Sequence, residues 1–321
     1  MLPLKAPTVY TVILNWNQPE LTQDCLNSLT ESDYCSNTVV VVDNGSTDGS
    51  PQIIRSRFPQ AVVIENKENI GYSKGNNVGI QYALQRKADY VFLLNNDTVV
   101  DSKMLSRLVE VAESDPQIGM VGPTMFYIDP PDMVWGGENR IDWKKAVAVR
   151  GGMGESVNGG FLELQPLCEV DYIDSCAILV KRGVLEKIGL MSEDYFINFD
   201  DIDLNVRARK AGYRIVYVPS ARMWHKVSAA MGLASPATTY YMTRNTLLFF
   251  WKHAPGIWRI MAFLQILVRS LRTVTAWTIK AEYKDEIFRR KRTANLMALR
   301  DFFLGRFGKM GPDVTKVCYG K

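Results

Sequence analysis

Three features of this 321-residue sequence predict an α/β fold with a mainly parallel central sheet flanked by helices and a C-terminal helical appendage. Short Val-, Ile- and Leu-rich runs recur through the first 125 residues without polar alternation, which marks strands buried on both faces. Amphipathic helical patterns separate those runs, as crossovers between parallel strands require. After residue 236 the pattern is largely helical. The chain is 47% hydrophobic and 22% charged, ordinary for a globular protein and enough for one large core, or a core plus an appendage.

The elements follow in order. "TVYTVIL" (8–14) reads as a buried strand, and Pro19 opens the helix "PELTQDCLNSLTES". "TVVVVD" (38–43) is the second strand, and "STDGSPQIIRSRF" starts a helix behind hydroxyl and carboxylate caps. "AVVIEN" (61–66) is the third, after which "NIGYSKGNNVGIQYALQRK" turns through glycines into a helix. "DYVFLLNND" (89–97) is the fourth, followed by the helix "SKMLSRLVEVAES" and a strand near "IGMVG". Residues 130–170 are rich in Gly and Pro and predict a loop-and-hairpin insertion, a lid or an acceptor-facing surface. Strand, helix, loop, helix and strand resume up to residue 225. The division expected is an α/β region over 1–235, itself divided about residue 125, then a helical region over 236–321.

Net charge of +4 is too mild for a nucleic-acid partner. The five cysteines, Cys25, Cys35, Cys168, Cys176 and Cys318, make no metal-site spacing and fit buried thiols in a reducing compartment. "MLPLKAPTVYTVILNWN" lacks the pattern of a secretory signal. The expected location is the cytoplasm, or the cytosolic face of a membrane.

Polar clusters stand at the carboxyl ends of the strands: "NWNQ" after the first, "DNGSTD" after the second, "NND" after the fourth. In open α/β sheets ligands bind beyond those ends. Two further places carry candidate chemistry. In "FINFDDIDLNVRARK" three carboxylates, Asp200, Asp201 and Asp203, crowd the first turn of a helix. They are natural partners of a helix N-terminus, yet two adjacent aspartates exceed what one cap needs, and one of them could act as a general base. His225, one of two histidines, follows the strand ending "VYVP"; it is either structural or a ligand completing the shell of a cation held at Asp97.

Taken together, "VILNWNQPELTQDCLNSL", "VVVVDNGSTDGS", "NKENIGYSKGNNVGI", "DYVFLLNNDTVV", "DSCAILVKRGVLEKIGLMSEDYFINFDDIDLNVRARKAGYRIVYVPSARMWH" and "YYMTRNTLLF" resemble the inverting nucleotide-sugar glycosyltransferases of the large family that includes cellulose and chondroitin synthases. The likeness runs in family order over residues 8–250 and is closest to the rhamnosyltransferase-like and galactofuranosyltransferase-like branch. It implies a GT-A catalytic domain over 1–235, with a donor-binding part about 1–125 and an acceptor and catalytic part about 126–235, a nucleotide-sugar donor, and Mg2+ or Mn2+. Asp97 matches the metal-binding carboxylate, and His225 a histidine of the metal shell. Asn95 replaces the family's first aspartate; an amide supplies no anionic charge and is left to hydrogen-bond ribose or a metal-bound water. Asn96 lies in the same donor-binding turn. Asp43 matches the acceptor of a hydrogen bond from the pyrimidine, and Trp16 an aromatic beside that base. Gly71, Gly75 and Asn76 match a loop close to the nucleotide, and Arg244 a position near the donor phosphates. Asp201, the second acid of "FDD", matches the catalytic base. The implied reaction is a single displacement with inversion, the donor being dTDP-rhamnose or, alternatively, a UDP-hexose or UDP-galactofuranose, and the acceptor a glycan or lipid-linked glycan.

Two rivals are weaker. A nucleotidyltransferase needs a Gly-rich, basic loop where this chain has "NWNQPE", and a non-catalytic sugar-nucleotide-binding protein has no need of Asp97, Asp201 and His225 together. In the tail, Arg259, Gln265, Arg269 and Arg272 share one helical arc, while Ile260, Phe263, Leu264, Leu267, Leu271 and Val274 share the other. With "FRRKR" nearby, residues 256–321 are a candidate for an anionic membrane surface. Packing on the protein itself, or on a second copy in a homo-oligomer, is the alternative.

Overall fold

The computed structural model describes residues 6–157, 165–226 and 235–320. They form two compact units. The first comprises the described residues of Met1–Arg140, Val149–Met191 and Leu204–Val227, and the second those of Ile141–Ala148, Ser192–Asp203 and Ser228–Lys321.

The first unit alternates strand and helix: β1 (Val9–Asn15), α1 (Pro19–Thr30), β2 (Asn37–Asp43), α2 (Ser50–Arg57), β3 (Val62–Glu65), α3 (Tyr72–Gln85), β4 (Tyr90–Asn95), β5 (Thr98–Val100), α4 (Met104–Ser114) and β6 (Ile118–Tyr127). The insertion contributes β7 (Val134–Gly136), the hairpin strands β8 (Arg140–Asp142) and β9 (Val147–Val149), and β10 (Cys168–Glu169). Then come β11 (Ala177–Lys181), α5 (Arg182–Ile188), α6 (Asp200–Lys210), whose first turn belongs to the second unit, and β12 (Arg214–His225). Residues 158–164 of the expected lid lie outside the described residues.

The sheet runs β10-β12-β6-β11-β4-β1-β2-β3, with β5 on β12 and β7 on β6. The half built from β4, β1, β2 and β3 is parallel, as expected. The other half is mixed. β11 enters between β4 and β6 antiparallel to both. Alternate residues of each strand supply the two faces: Ile13 and Phe92 pack with α1 and α4, while Val12 and Leu93 pack with α3 and α5. Each such fully buried side chain is worth about 1.5–3 kcal/mol.

The second unit holds α7 (Pro236–His253), α8 (Ile257–Ile279), α9 (Glu286–Phe303) and α10 (Pro312–Tyr319). Ala294 and Ala298, one turn apart on α9, leave room for Tyr240 and Tyr241 of α7. Two stretches of the expected catalytic region pack here. Trp143, in the turn between β8 and β9, stacks on Phe249 with ring centroids 5.9 Å apart. The 192–199 loop is held by α7.

Candidate functional site at the strand ends

Strand register brings the polar residues to one level. Asn15 pairs with Asp43 across β1 and β2, and Leu14 pairs with Asn95 across β1 and β4. Because the strands are parallel, all end on the same edge, and their terminal side chains form a line. Asp43 is 1% exposed. It accepts from Asn15 Nδ2 at 2.7 Å, from Ser46 Oγ at 2.7 Å and from the Ser46 backbone N–H at 2.8 Å. Three donors leave such a carboxylate one further acceptor position. Asn15 Oδ1 in turn accepts from Thr22 Oγ1 at 2.7 Å, and Thr22 Oγ1 accepts from Asn96 Nδ2 at 3.1 Å. A continuous chain of hydrogen bonds therefore links the second strand end to the "NND" turn.

Trp16 is 45% exposed beside this line. Asn17, next to it, sits at φ 51°, a left-handed conformation that asparagine tolerates, and its Oδ1 accepts from the Thr47 N–H at 2.8 Å. Asn95 Oδ1 accepts from Tyr72 OH at 2.8 Å. Gly71 caps α3 at φ 94°, and its carbonyl accepts from Asn44 Nδ2 at 3.1 Å. The next residues are packed against the sheet and within the helix. A Cβ on Gly75 would lie 2.6 Å from Leu14 Cδ1, so the missing side chain lets α3 press against β1. Asn76 is buried within α3, and its Nδ2 donates to the Tyr72 carbonyl at 3.0 Å.

β12 delivers the histidine. It pairs with β5 so that His225 lies opposite Thr98, and the Lys226 N–H donates to the Asp97 carbonyl at 2.9 Å. His225 Nε2 and Asp97 Oδ1 are 3.0 Å apart, with side chains only 8% and 11% exposed. That distance suits a hydrogen bond. It also suits two adjacent ligands of an octahedral cation, since bonds of about 2.1 Å at a right angle separate their donors by about 3.0 Å. Among the described residues no group of three or more His, Cys, Asp or Glu could hold a metal ion. A carboxylate and an imidazole with the remaining ligands from water and phosphate is the usual economy of a Mg2+ or Mn2+ site. The residues fit such an ion. His225 Nδ1 is buried with no hydrogen-bond partner among the described residues, and the ring stands edge-on to Trp135 at 4.8 Å.

Behind His225 lies a group that reading the sequence missed. The Arg150 guanidinium covers Trp135 at 4.1 Å and pairs with the buried Asp174 at 2.6 Å, whose Oδ2 accepts from Asn139 Nδ2 at 2.8 Å. The only signal was a charged and an aromatic residue inside the Gly-rich insertion, where no periodicity identifies a face.

In the second unit, the carboxylates of "FDDID" separate clearly. Asp200 and Asp203 are buried, and Asp203 Oδ1 receives His253 Nε2 at 2.7 Å, Lys252 Nζ at 3.1 Å and Tyr195 OH at 3.3 Å. Asp201 is half-buried. The preceding loop is strained: Phe196, Asn198 and Phe199 all have positive φ, at 64°, 66° and 70°. Such conformations persist only where surrounding bonds impose them, and they cluster at functional sites. The bonds come from "TRN". Asn245 Nδ2 is within 2.8 Å of the Tyr195 and Ile197 carbonyls and 3.1 Å of that of Asn198.

Arg244, expected near donor phosphates, is fully buried. Its Nε donates to Asn245 Oδ1 at 3.1 Å, Nη1 to Tyr240 OH at 3.3 Å and the Arg306 carbonyl at 3.5 Å, and Nη2 to the Asp194 and Tyr195 carbonyls, each at 3.3 Å. Those bonds engage every N–H of a guanidinium, so here Arg244 is a support for the strained loop.

Residues 6–244 match the family described as Glycosyltransferase like family 2. Among curated relatives, the N-acetylglucosaminyl-diphospho-decaprenol L-rhamnosyltransferase of Mycobacterium tuberculosis is 27% identical over 243 residues, covering 69% of this chain and 77% of that one. The dTDP-rhamnosyl transferase RfbF of Shigella flexneri is 25% identical over 285 residues, covering 86% and 91%. Among solved structures, the mannosyltransferase PcManGT of Pyrobaculum calidifontis, in complex with GDP-Man and Mn2+, has a TM-score of 0.58 at 17% identity, covering 95% of this chain and 89% of that one. TarS of S. aureus with UDP-GlcNAc gives 0.57 at 18%, covering 92% and 80%. At those identities the structures speak for the fold alone, which is of the GT-A type. The family match, spanning most of the sequence, makes this chain a member of glycosyltransferase family 2.

Proposed function

We propose that this glycosyltransferase moves rhamnose from dTDP-rhamnose to a glycan or lipid-linked glycan acceptor, with inversion at the anomeric carbon. The observation that carries the reading is the line Asp43, Asn15, Asn95, Asn96 and Asp97 across three strand ends, with His225 at its far end, in a chain of this family. Asp43 would use its remaining acceptor position on the pyrimidine N–H, and exposed Trp16 would stack on the ring. Asn95 would hydrogen-bond the ribose. Asp97 and His225 would hold Mg2+ or Mn2+, which supplies charge neutralisation for a departing diphosphate.

Asp201 is the proposed base. As the acceptor oxygen bonds to the anomeric carbon, its proton passes to the Asp201 carboxylate. The bond from that carbon to the diphosphate oxygen breaks, and its electron pair leaves with the nucleotide. No enzyme nucleophile is needed. The strained loop would fix Asp201, and positioning of this kind is where glycosyl transfer gains much of its rate. Rhamnose is favoured because two relatives transfer it, and a lipid-linked acceptor because one of their names specifies a diphospho-decaprenol.

The test is transfer by the purified chain from dTDP-rhamnose, UDP-hexoses and UDP-galactofuranose, with and without Mn2+, the product's anomeric configuration being read by NMR. Transfer from dTDP-rhamnose with inversion is expected. Turnover with a UDP-sugar alone would replace the donor, retention would discard the single displacement, and binding without turnover would favour a non-catalytic protein.

A further inference from the structure

We propose that the outward face of α8 docks on an anionic lipid surface, lying in the membrane interface. The structure shows which side of α8 is covered, and it is not simply the polar arc, because Arg259, Arg269 and Arg272 are exposed. Gln265 Nε2 and Arg269 Nη2 reach inward to the Lys144 and Lys145 carbonyls, each at 2.9 Å, and Ala262, Ile266 and Ser270 are buried. The opposite side is apolar and open. Ile257, Ile260, Met261, Leu264, Val268 and Leu271 are all exposed, Ile257 by 62% and Leu264 by 52%. Their spacing of i, i+3, i+4, i+7, i+11 and i+14 makes one continuous stripe along the helix. Phe263 extends it sideways, edge-on to exposed Trp251 at 5.7 Å and to exposed Phe303 at 6.0 Å. A contiguous apolar surface of this kind marks a contact site rather than ordinary scatter.

Charge identifies the occupant. α8 carries Arg259, Arg269 and Arg272 and no carboxylate. Of the acids just beyond it, Glu282 pairs with Lys280, Glu286 pairs with Arg290, and Asp285 caps α9. The "FRRKR" tract contributes less than expected, because Lys291 is buried over the Phe288 ring; Arg289 remains exposed. A second copy docked through the same two-fold face would bring arginine-flanked stripes together with no acid to oppose them. An anionic bilayer supplies both the apolar phase and the opposite charge. No helix among the described residues is long and apolar enough to cross a membrane, so the contact is with the interface. The stripe shares no residue with the proposed donor site.

The experiment is co-sedimentation of the full chain with phosphatidylcholine vesicles, with and without phosphatidylglycerol, at low salt and at about 0.5 M, where screening is nearly complete beyond a few ångströms. Wild type should bind the anionic vesicles and release at high salt. The Leu264→Glu/Leu271→Glu variant should lose binding by about tenfold or more, and Arg272→Glu by about fivefold, with transfer to a soluble acceptor retained. Leu264→Gln/Leu271→Gln, uncharged, guards against misfolding and should also lose binding. The proposal is overturned if wild type stays in the supernatant, if it binds neutral and anionic vesicles alike, or if the folded double variants bind as wild type does. A dimer that the double variants dissolve, without vesicle binding, would give the face to a second copy and overturn it equally.

Discussion

Replacing Asp43 with alanine removes the acceptor on which the rim line converges. The bond from Asn15 Nδ2 is buried, and losing its charged partner costs about 2 kcal/mol. The two bonds from Ser46 are half-buried, so water can replace them, and each costs about 0.5–1 kcal/mol. The total, about 3–4 kcal/mol, corresponds to a fall in Tm of roughly 4–6 °C at this size. Urea unfolding measures the first number and calorimetry the second. Asp43→Asn keeps the shape and one oxygen, so it should cost about half as much while still weakening dTDP binding tenfold or more, as expected when a charged acceptor is lost. An alanine variant that melts within a degree of wild type, or binds dTDP as tightly, would refute the claim that this carboxylate organises the rim.

Other expectations follow from the same physics. Asn245→Ala removes the amide that the Tyr195, Ile197 and Asn198 carbonyls share, the Tyr195 carbonyl keeping Arg244, and should cost about 2–3 kcal/mol in urea unfolding; transfer should fall while dTDP affinity stays within twofold. Thiol labelling of the native chain should modify exposed Cys35 first and spare buried Cys25, Cys176 and Cys318, as mass spectrometry of peptides will report. Burial pushes the Cys25 thiol up to about 12, against a smaller lowering by its hydrogen bond to Thr98, and pushes Cys318 up to about 11. The unfolded chain loses these protons first, so their contribution is complete below the unfolded thiol value of about 8.5 and drains away as pH rises towards 11–12. Denaturation midpoints should therefore fall steadily above pH 9. A flat profile from pH 8 to 11 would contradict the buried, protonated thiols.

Much of the sheet was legible because a strand covered on both faces has no choice but to be apolar. "TVVVVD" and "DYVFLLNND" announce both the strand and, by the abrupt change to polar side chains, the end that faces solvent. The convergence of Asn15, Asp43 and Asn95 follows from parallel register, which the alternation with helices implies. Other features depend on pairings between distant segments. His225 reaches Asp97 only because β5 and β12 run antiparallel, and a three-residue strand leaves little trace in a sequence. The surroundings of Arg244 were hidden for a related reason: a sequence shows a cation but not whether carbonyls surround it, and the loop it supports lies about fifty residues earlier. The helical wheel of α8 put Arg259, Arg269 and Arg272 on one arc, yet all three are exposed, and Phe263 and Leu267 of the other arc are half-buried. Amphipathicity alone does not say which arc is covered, because an apolar arc can face a core or a lipid surface equally well.

The central claim divides labour between two carboxylates, Asp97 for the donor diphosphate and Asp201 for the acceptor proton. Measuring Mn2+-dependent dTDP-rhamnose affinity and transfer rate side by side, in wild type, Asp97→Asn and Asp201→Asn, tests it most directly. Asp201→Asn should bind donor within twofold of wild type yet transfer at least about 10³-fold more slowly, whereas Asp97→Asn should lose the Mn2+-dependent part of donor binding. Substantial turnover by Asp201→Asn, or undiminished Mn2+-dependent binding by Asp97→Asn, would contradict it.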